Sequence, residues 1–265
     1  LDYLKRRGLS VITYEGAPAV RIPFFDADGT IVTSQYRTPT GKRFKSGLPT
    51  CIYGLDLLPA HKDAASITLC EGASDQQTLD HNGFAALGLP GASNWKDDRD
   101  AGYFDGFETI YVIIEPDAGG EAVRKWLERS RIRDRAHLVA LDGFKDPSAM
   151  YIDSPESFKE RYQAALNAAT AWTVIEAART TAEAEKSASA AGDLMDEVDI
   201  VQRARRTIAA RGYAGDTRAP GLVFVAVASR LLARPLNPAL VAPSAAGKNE
   251  AVRAGAALHP ATAVH

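Results

Sequence analysis

Between residues 64 and 150, short apolar runs alternate with segments of helical spacing, and this alternation constrains the fold more than any other feature of the sequence. Three of the runs, residues 66–70, 109–114 and 137–141, have the length and composition of buried strands. Strands separated by helices predict β-α-β units, and therefore a parallel sheet covered by helices. In such sheets, ligands bind in a crevice at the carboxyl ends of the strands.

An acidic motif follows each of the three apolar runs. The motifs are Glu71-Gly72-Ala73-Ser74-Asp75, Glu115-Pro116-Asp117-Ala118-Gly119-Gly120 and Lys145-Asp146-Pro147-Ser148-Ala149. Carboxylates gathered at one end of a sheet repel one another unless a cation lies between them. Carboxylate oxygens suit Mg²⁺, which also bridges substrate phosphates. The sequence therefore predicts a divalent-metal site and phosphoryl chemistry at this edge of the sheet.

Spacing within the motifs predicts which carboxylates share the crevice. Asp75 lies about one helical turn after Glu71, so both side chains can face it. Glu115 and Asp117 are two residues apart at the end of a strand, so both can reach one cation. The glycines that follow leave room for a bulky ligand and open a helix whose N-terminus favours phosphate. Each motif alone is also compatible with a helix cap or a turn, and only their shared placement favours a site.

The flanking segments differ from this central region. Residues 1–62 contain short alternating runs around an Asp-Gly turn at residues 26–29, followed by the basic residues Arg37, Lys42, Arg43 and Lys45. A basic run of this kind is by default a solvated surface. Residues 153–215 are rich in alanine and predict helices, with a linker over residues 180–192.

The C-terminal region ends in a glycine-lysine motif. We expect an apolar helix over residues 220–232, a strand over 239–242 and a helix over 250–258. Between the last two lies Pro243-Ser244-Ala245-Ala246-Gly247-Lys248-Asn249, which is similar to a P-loop. In a P-loop, backbone N–H groups hold phosphates and the lysine reaches the terminal ones, so Gly247, Lys248 and Asn249 are candidate ATP-binding residues. Ala242 and Asn249 replace the usual glycine and Ser or Thr, and a simple Gly-Lys turn is the alternative.

Composition narrows the class of protein only a little. The 265 residues carry a net charge of −2, so any nucleic-acid contact must be local. Cys51 and Cys70 cannot form a zinc site alone, and they favour a reducing cytoplasm over a disulfide framework. No apolar stretch predicts a membrane span. The chain starts at Leu1 and stops at His265 within helix-like segments, and we expect a fragment of a longer protein.

The three motifs, in this order, resemble those of the Toprim domain, which bacterial-type primases share with type IA and II topoisomerases and certain nucleases. The resemblance covers about residues 1–150 and is specific in its Toprim half. It is closest to the primase-helicases of phages and mobile elements. Arg43-Phe44-Lys45-Ser46 followed by Ile52-Tyr53-Gly54-Leu55 is similar to the basic-aromatic stretch and the Leu-Tyr-Gly-Leu of the primase N-terminal subdomain.

This resemblance implies an α/β fold with a Toprim-like parallel sheet flanked by helices, a small α+β N-terminal subdomain and a helical C-terminal extension. The implied domains are a primase-like subdomain over residues 1–62 and a Toprim catalytic domain over 63–152. A helical linker region would follow over 153–215. Residues 216–265 would begin a truncated, helicase-like P-loop ATPase domain.

The resemblance also implies roles for the site residues. Glu71 would be the general acid or base of nucleotidyl transfer. Glu71, Glu115 and Asp117 would bind Mg²⁺ or Mn²⁺. Asp75 would support the metal cluster. The catalytic phosphate and metal environment would be completed by Lys145 and Asp146.

The implied activity is that of a DNA primase, which makes primers from NTPs on a single-stranded DNA template. Lys42, Arg43 and Lys45 would face template or incoming nucleotide, and a C-terminal helicase domain of the same chain would be the partner. One position departs from the family, which usually has Asp where this chain has Glu115. Two alternatives stay open: a Toprim nuclease, and a catalytically impaired Toprim module that binds nucleic acid or supports assembly.

Overall fold

The computed structural model describes residues 1–44, 47, 49–244, 246–260 and 263. The chain forms two compact units, Leu1–Thr180 and Thr181–His265. The first unit contains two β-sheets, and the described part of the second contains helices. Within the described residues, no helix is both long enough and apolar enough to cross a membrane.

The first unit begins with a helix and a four-stranded antiparallel sheet, ordered β1-β2-β3-β4. These elements are α1 (Asp2–Arg6), β1 (Ser10–Tyr14), β2 (Ala17–Phe25), β3 (Ile31–Thr38) and β4 (Gly41–Phe44). The predicted turn connects β2 to β3, where the Asp26 side chain accepts hydrogen bonds from the backbone N–H groups of Asp28 and Thr30 at 3.0 and 2.8 Å. Ile22 and Phe24 alternate with outward residues along β2 and pack on Tyr53.

The second sheet has five strands in the order β6-β5-β7-β8-β9. Its strands are β5 (Ser66–Glu71), β6 (Ala86–Leu89), β7 (Thr109–Ile113), β8 (Ala136–Val139) and β9 (Thr170–Ala171). Strands β5 to β8 pair in parallel, and β9 pairs with β8 antiparallel. The accompanying helices are α2 (Ala73–His81), α3 (Asp97–Asp100), α4 (Ala118–Leu127), α5 (Pro147–Asp153), α6 (Phe158–Asn167) and α7 (Trp172–Ala191). The predicted parallel sheet flanked by helices is therefore confirmed.

The strand order of this sheet reverses between β5 and β7. The chain runs from β5 through α2 outward to β6, then returns to β7 and runs through α4 to β8 on the other side. Right-handed crossovers in opposite directions place α2 and α4 on opposite faces of the sheet. Two separate apolar clusters agree with this: Leu79 of α2 packs in one with Tyr162, and Leu127 of α4 packs in the other with Trp95. Such a reversal point opens a crevice at the strand ends.

The second unit contains α8 (Ile200–Ala210), α9 (Arg218–Ala228) and α10 (Lys248–Ala256), besides the C-terminal part of α7. The strand predicted over residues 239–242 is wrong, since these residues, all of them described, form no strand. Val241 is 92% exposed, so the segment has no packing surface of the kind that holds a buried strand. Pro235, Pro238 and Pro243 also surround it, and proline cannot donate to a sheet ladder.

Candidate functional site

The first acidic motif forms a tight turn from β5 into α2. Glu71 is the last residue of β5, and Gly72 adopts φ 102°, a conformation that other residues rarely take. The turn lets α2 start at Ala73, and Asp75 in its first turn is only 4% exposed. The Ser148 hydroxyl donates a 2.6 Å hydrogen bond to the Asp75 carboxylate, which anchors it against the start of α5.

The other two motifs each supply the N-cap of a helix. Asp117 accepts a hydrogen bond from the backbone N–H of Gly119 at 2.8 Å, which caps α4. Asp146 accepts one from the backbone N–H of Ala149 at 2.7 Å, which caps α5, and Pro147 occupies the first turn of that helix. The second and third motifs therefore start helices at strand ends, whereas no side chain caps α2, so the helix-cap alternative does not describe the first motif.

Three carboxylates converge at the reversal point of the sheet. Asp75, Glu115 and Asp146 each present an oxygen that lies within 4.8 Å of the corresponding oxygens of the other two. Burial raises the pKa of Asp75 to about 6, and the Asp146 carboxylate adds to the rise. Burial, together with the Glu71 charge, raises the pKa of Glu115 to about 7. Charges held this close without a counter-ion favour protonation, and a divalent cation would favour the ionised forms instead.

Glu71 carries a free oxygen beside this cluster. Its Oε2 is buried and has no hydrogen-bond partner among the described residues. A Cβ added at Gly119 would lie 2.5 Å from that oxygen, so the glycine leaves the space that Glu71 occupies. A buried carboxylate oxygen without a partner is costly, and it fits a site that takes a cation or exchanges a proton. The hard oxygen donors of the cluster suit Mg²⁺ or Mn²⁺.

Lys145 lies against two of the predicted site residues. Its Nζ is 3.2 Å from Glu115 Oε2 and 3.2 Å from Asp117 Oδ2. These contacts with Asp117 and Glu115 raise the pKa of Lys145. The Gly119 N–H and then Lys145 lower the pKa of Asp117, which is 43% exposed. Of the predicted metal ligands, Glu115 lies in the converging cluster and Glu71 beside it, whereas Asp117 is engaged by a backbone N–H and by Lys145.

A basic wall faces the acidic cluster across a cavity of about 380 Å³. Arg37 and Lys42 lie on this wall, and the Arg37 guanidinium donates a 3.3 Å hydrogen bond to the Ser74 hydroxyl. Neither Arg37 nor Ser148 was predicted to be a site residue, although Arg37 belongs to the basic run and Ser148 to the third acidic motif. Arg37 lies opposite Lys42 in the β3–β4 register, and directly opposed residues share a face of the sheet. Arg37 could have been predicted as a site residue from the pairing of β3 with β4.

The residues predicted to bind nucleic acid do not all lie on one face of β4. Lys42 faces the acidic cavity, whereas Arg43, one residue later, lies on the opposite face of the sheet, where it is opposed by Tyr36. Lys45 lies outside the described residues. The basic run thus divides between two surfaces.

Trp95 follows β6 and is part of the apolar core. Trp95 is 9% exposed and stacks on Trp126 with ring centroids 4.3 Å apart.

The candidate ATP-binding residues lie in the second unit. Gly247 has φ 74° and precedes α10, and the Lys248 ammonium group donates to the backbone carbonyls of Ala242 and Pro243 at 2.5 and 2.8 Å. Asn249 is the second residue of α10. These contacts join the Lys248 side chain to the backbone of two residues that precede it in the motif.

Comparison with known proteins finds solved structures that are similar to this chain. No protein-family model matches the sequence, and no curated protein matches it. Among solved structures, the chain is similar to a chain of a bacteriophage T7 complex in which lagging-strand DNA polymerase interacts with primase domains bound to an RNA/DNA hybrid and dTTP. The sequences are 21% identical, the match covers 64% of this chain and 88% of the other, and the TM-score is 0.52.

Two further similar structures are primase fragments. The primase fragment of the bacteriophage T7 primase-helicase is 19% identical, with 60% of this chain and 68% of that chain covered and a TM-score of 0.48. A DnaG primase catalytic domain bound to single-stranded DNA is 17% identical, with 66% and 74% covered and a TM-score of 0.49. The similarity to the chain of the first T7 complex, with a TM-score of 0.52, shows that the two chains share a fold.

Proposed function

We propose that this chain is the catalytic part of a DNA primase, which joins NTPs into a primer on a single-stranded DNA template. The observation that carries the proposal is the cluster of Asp75, Glu115 and Asp146 at the strand-order reversal, facing Arg37 and Lys42 across one cavity. Cations on one wall suit a triphosphate, and carboxylates on the other suit divalent cations. The fold shared with the T7 chain supports this assignment.

The proposed site divides the work among its residues. Asp75, Glu115 and Asp146 would hold Mg²⁺ or Mn²⁺, and the cation would supply electrostatic stabilisation of charge on the phosphoryl oxygens. Arg37 and Lys42 would orient the triphosphate. The Asp117 cap and its contact with Lys145 would fix the start of α4 beside the site.

Glu71 is the candidate general base. In the proposed reaction, the primer 3′-oxygen forms a bond to the α-phosphorus of the NTP, and the bond to the leaving pyrophosphate breaks. The 3′-hydroxyl proton must go to a base, and Glu71 lines the cavity with one carboxylate oxygen, the buried Oε2, that has no hydrogen-bond partner among the described residues. Lys145 and Asp146 would complete the environment of the phosphates, as the resemblance implies.

Primer synthesis on single-stranded DNA with labelled NTPs and Mg²⁺ tests the proposal. Glu71→Gln and Asp117→Asn are the test variants, and Asp142→Asn, which removes an exposed carboxylate after β8, is the matched control. We expect at least about 100-fold slower synthesis in Glu71→Gln, because general bases contribute about 10²–10⁴-fold. Asp142→Asn should retain native activity. Cleavage of the DNA without synthesis would favour a Toprim nuclease, and binding without either reaction would favour a binding or assembly module.

We also propose that the loop before α10 binds ATP as the start of a helicase domain of the same chain. The contacts of the Lys248 ammonium group with the Ala242 and Pro243 carbonyls support this, as does the helix that starts directly after Gly247. The strand that usually precedes a P-loop is absent from residues 239–242. Equilibrium binding of labelled ATP to the full chain tests it. Lys248→Ala should abolish binding, and native binding in that variant would refute it.

A further inference from the structure

The outward face of the antiparallel sheet carries an aromatic pair flanked by arginines. Tyr14 of β1 and Tyr36 of β3 stack with ring centroids 3.9 Å apart and planes 10° apart. They are on different strands, with β2 between them. Tyr14 is opposed by Ala17 and Tyr36 by Arg21, and the small residue Ala19 lies between those two positions of β2. Ala19 is 3% exposed, as expected for a residue covered by the two rings.

The strand register places two arginines on the same face. Tyr36 is directly opposed by Arg21 on β2 and by Arg43 on β4, and opposed residues share a face. Arg43 is exposed, and Arg21 is half-buried, with its Nε donating to the Ser34 hydroxyl at 3.1 Å. The described strand residues of this face, here called the tyrosine face, include no acid, and Glu15 in the turn between β1 and β2 is the acid beside Tyr14.

We propose that the tyrosine face binds the single-stranded DNA template outside the catalytic cavity. Both tyrosines are half-buried, and among the described residues neither stacks with any further ring. Stacking on aromatic rings combined with cations for the phosphates is the chemistry that single strands require, and it is tolerant of sequence. Arg21 and Arg43 supply the charge complementarity.

The edge strand β4 connects this face to the catalytic cavity. Lys42 lines the cavity, and Arg43, its neighbour in the chain, lies on the tyrosine face. Because β4 pairs only with β3 among the described strands, a DNA strand can pass around its free edge from one surface to the other. The inference rests on the proposed primase function, since it names where that template continues.

Fluorescence anisotropy of the full chain with labelled single-stranded DNA of about 16 nucleotides, in EDTA, measures binding without catalysis. We expect Tyr36→Leu to weaken binding about fivefold or more, the loss typical of one stacked base. Tyr36→Phe keeps the ring and should bind like the native chain. Thermal unfolding of the Leu variant shows whether it remains folded.

The contribution of the arginines to DNA binding is measured by the salt dependence of the same titration. Arg43→Gln should lower the slope of log K against log salt by about 0.7, as for one phosphate contact on a single strand. Lys159→Gln, which removes one exposed charge on α6, should leave the slope unchanged. Native binding and slope in both Tyr36→Leu and Arg43→Gln would overturn the inference, as would equal losses in Lys159→Gln.

The two proposals fail in different assays. If the native chain makes primers but its DNA binding is insensitive to Tyr36→Leu and Arg43→Gln, the proposed DNA binding by the tyrosine face is overturned and the proposed primase function is not. If DNA binding depends on both residues but no primer is made, the proposed primase function is refuted and the proposed DNA binding by the tyrosine face is not.

Discussion

Replacing Asp75 by Asn should stabilise the protein when no divalent cation is present. Asp75 is 4% exposed and close to two further carboxylates, which makes its ionised form unfavourable in the folded chain. Burial raises its pKa from 3.8 to about 6. This rise corresponds to about 3 kcal/mol of stability lost when the group is ionised, at 1.36 kcal/mol per pKa unit. The Asn side chain keeps an oxygen that can accept the hydrogen bond from Ser148.

The sign of this effect follows from proton linkage. Below pH 3.8 Asp75 is protonated in the folded and the unfolded chain, so its shifted pKa costs nothing. As the pH rises to about 6, the unfolded chain loses this proton first, and the folded state becomes less favourable. The full cost persists above that pH. The gain in Asp75→Asn should therefore be complete at pH 8 and about half as large at pH 5.

Thermal unfolding in EDTA measures the effect. A gain of about 3 kcal/mol should raise the midpoint by about 6–12 °C in a protein of this size. Asp142→Asn, which removes an exposed carboxylate, is the matched control and should change stability by less than about 0.5 kcal/mol. Excess Mg²⁺ should raise the midpoint of the native chain and have less effect on Asp75→Asn, since a ligand of the cation is lost. A lower midpoint for Asp75→Asn in EDTA at pH 8, or a gain that is independent of pH, would refute the reasoning.

Two further predictions concern the same cavity. Gly120→Ala should destabilise the chain by about 1–3 kcal/mol, because its Cβ would lie 2.0 Å from the backbone carbonyl oxygen of Glu115. Gly106→Ala, whose Cβ would meet nothing within 4 Å, should not; equal unfolding midpoints would contradict this. Mg²⁺ affinity, measured by calorimetry, should fall as the pH drops below about 7 and again below about 6, because Glu115 and Asp75 then take up protons that the cation must displace. An Mg²⁺ affinity that does not change between about pH 8 and pH 5 would count against these carboxylates as the ligands.

Apolar runs and motif order were enough to predict the central sheet. The runs before Glu71 and Glu115 are strands β5 and β7, because continuous buried segments bounded by glycine and helix signals leave few alternatives. Their carboxyl ends meet at the reversal of strand order, which places the motifs in one crevice. Asp146, the N-cap of α5, has an oxygen within 4.8 Å of oxygens of Asp75 and Glu115, so it lies in the same crevice.

What the sequence could not show depended on tertiary pairing. Arg37 and Lys42 share a face only because β3 and β4 pair in one register, and no local pattern fixes that register. Period two along β4 then sends Arg43 to the other side. The strand predicted over residues 239–242 is missing for a related reason. An apolar tetrapeptide becomes a strand only when another strand is available to pair with it, and the flanking prolines disfavour this.

The most direct test of the central claim is to locate the cation itself. Crystals of the chain soaked in Mn²⁺ and measured at the manganese absorption edge would give an anomalous peak at each bound ion. The arrangement of the carboxylates predicts a peak about 2.1–2.2 Å from oxygens of Asp75, Glu115 and Asp146, lost in crystals of Asp75→Asn. A chain that binds Mn²⁺ only elsewhere, or a peak at this position that persists in Asp75→Asn, would contradict the account.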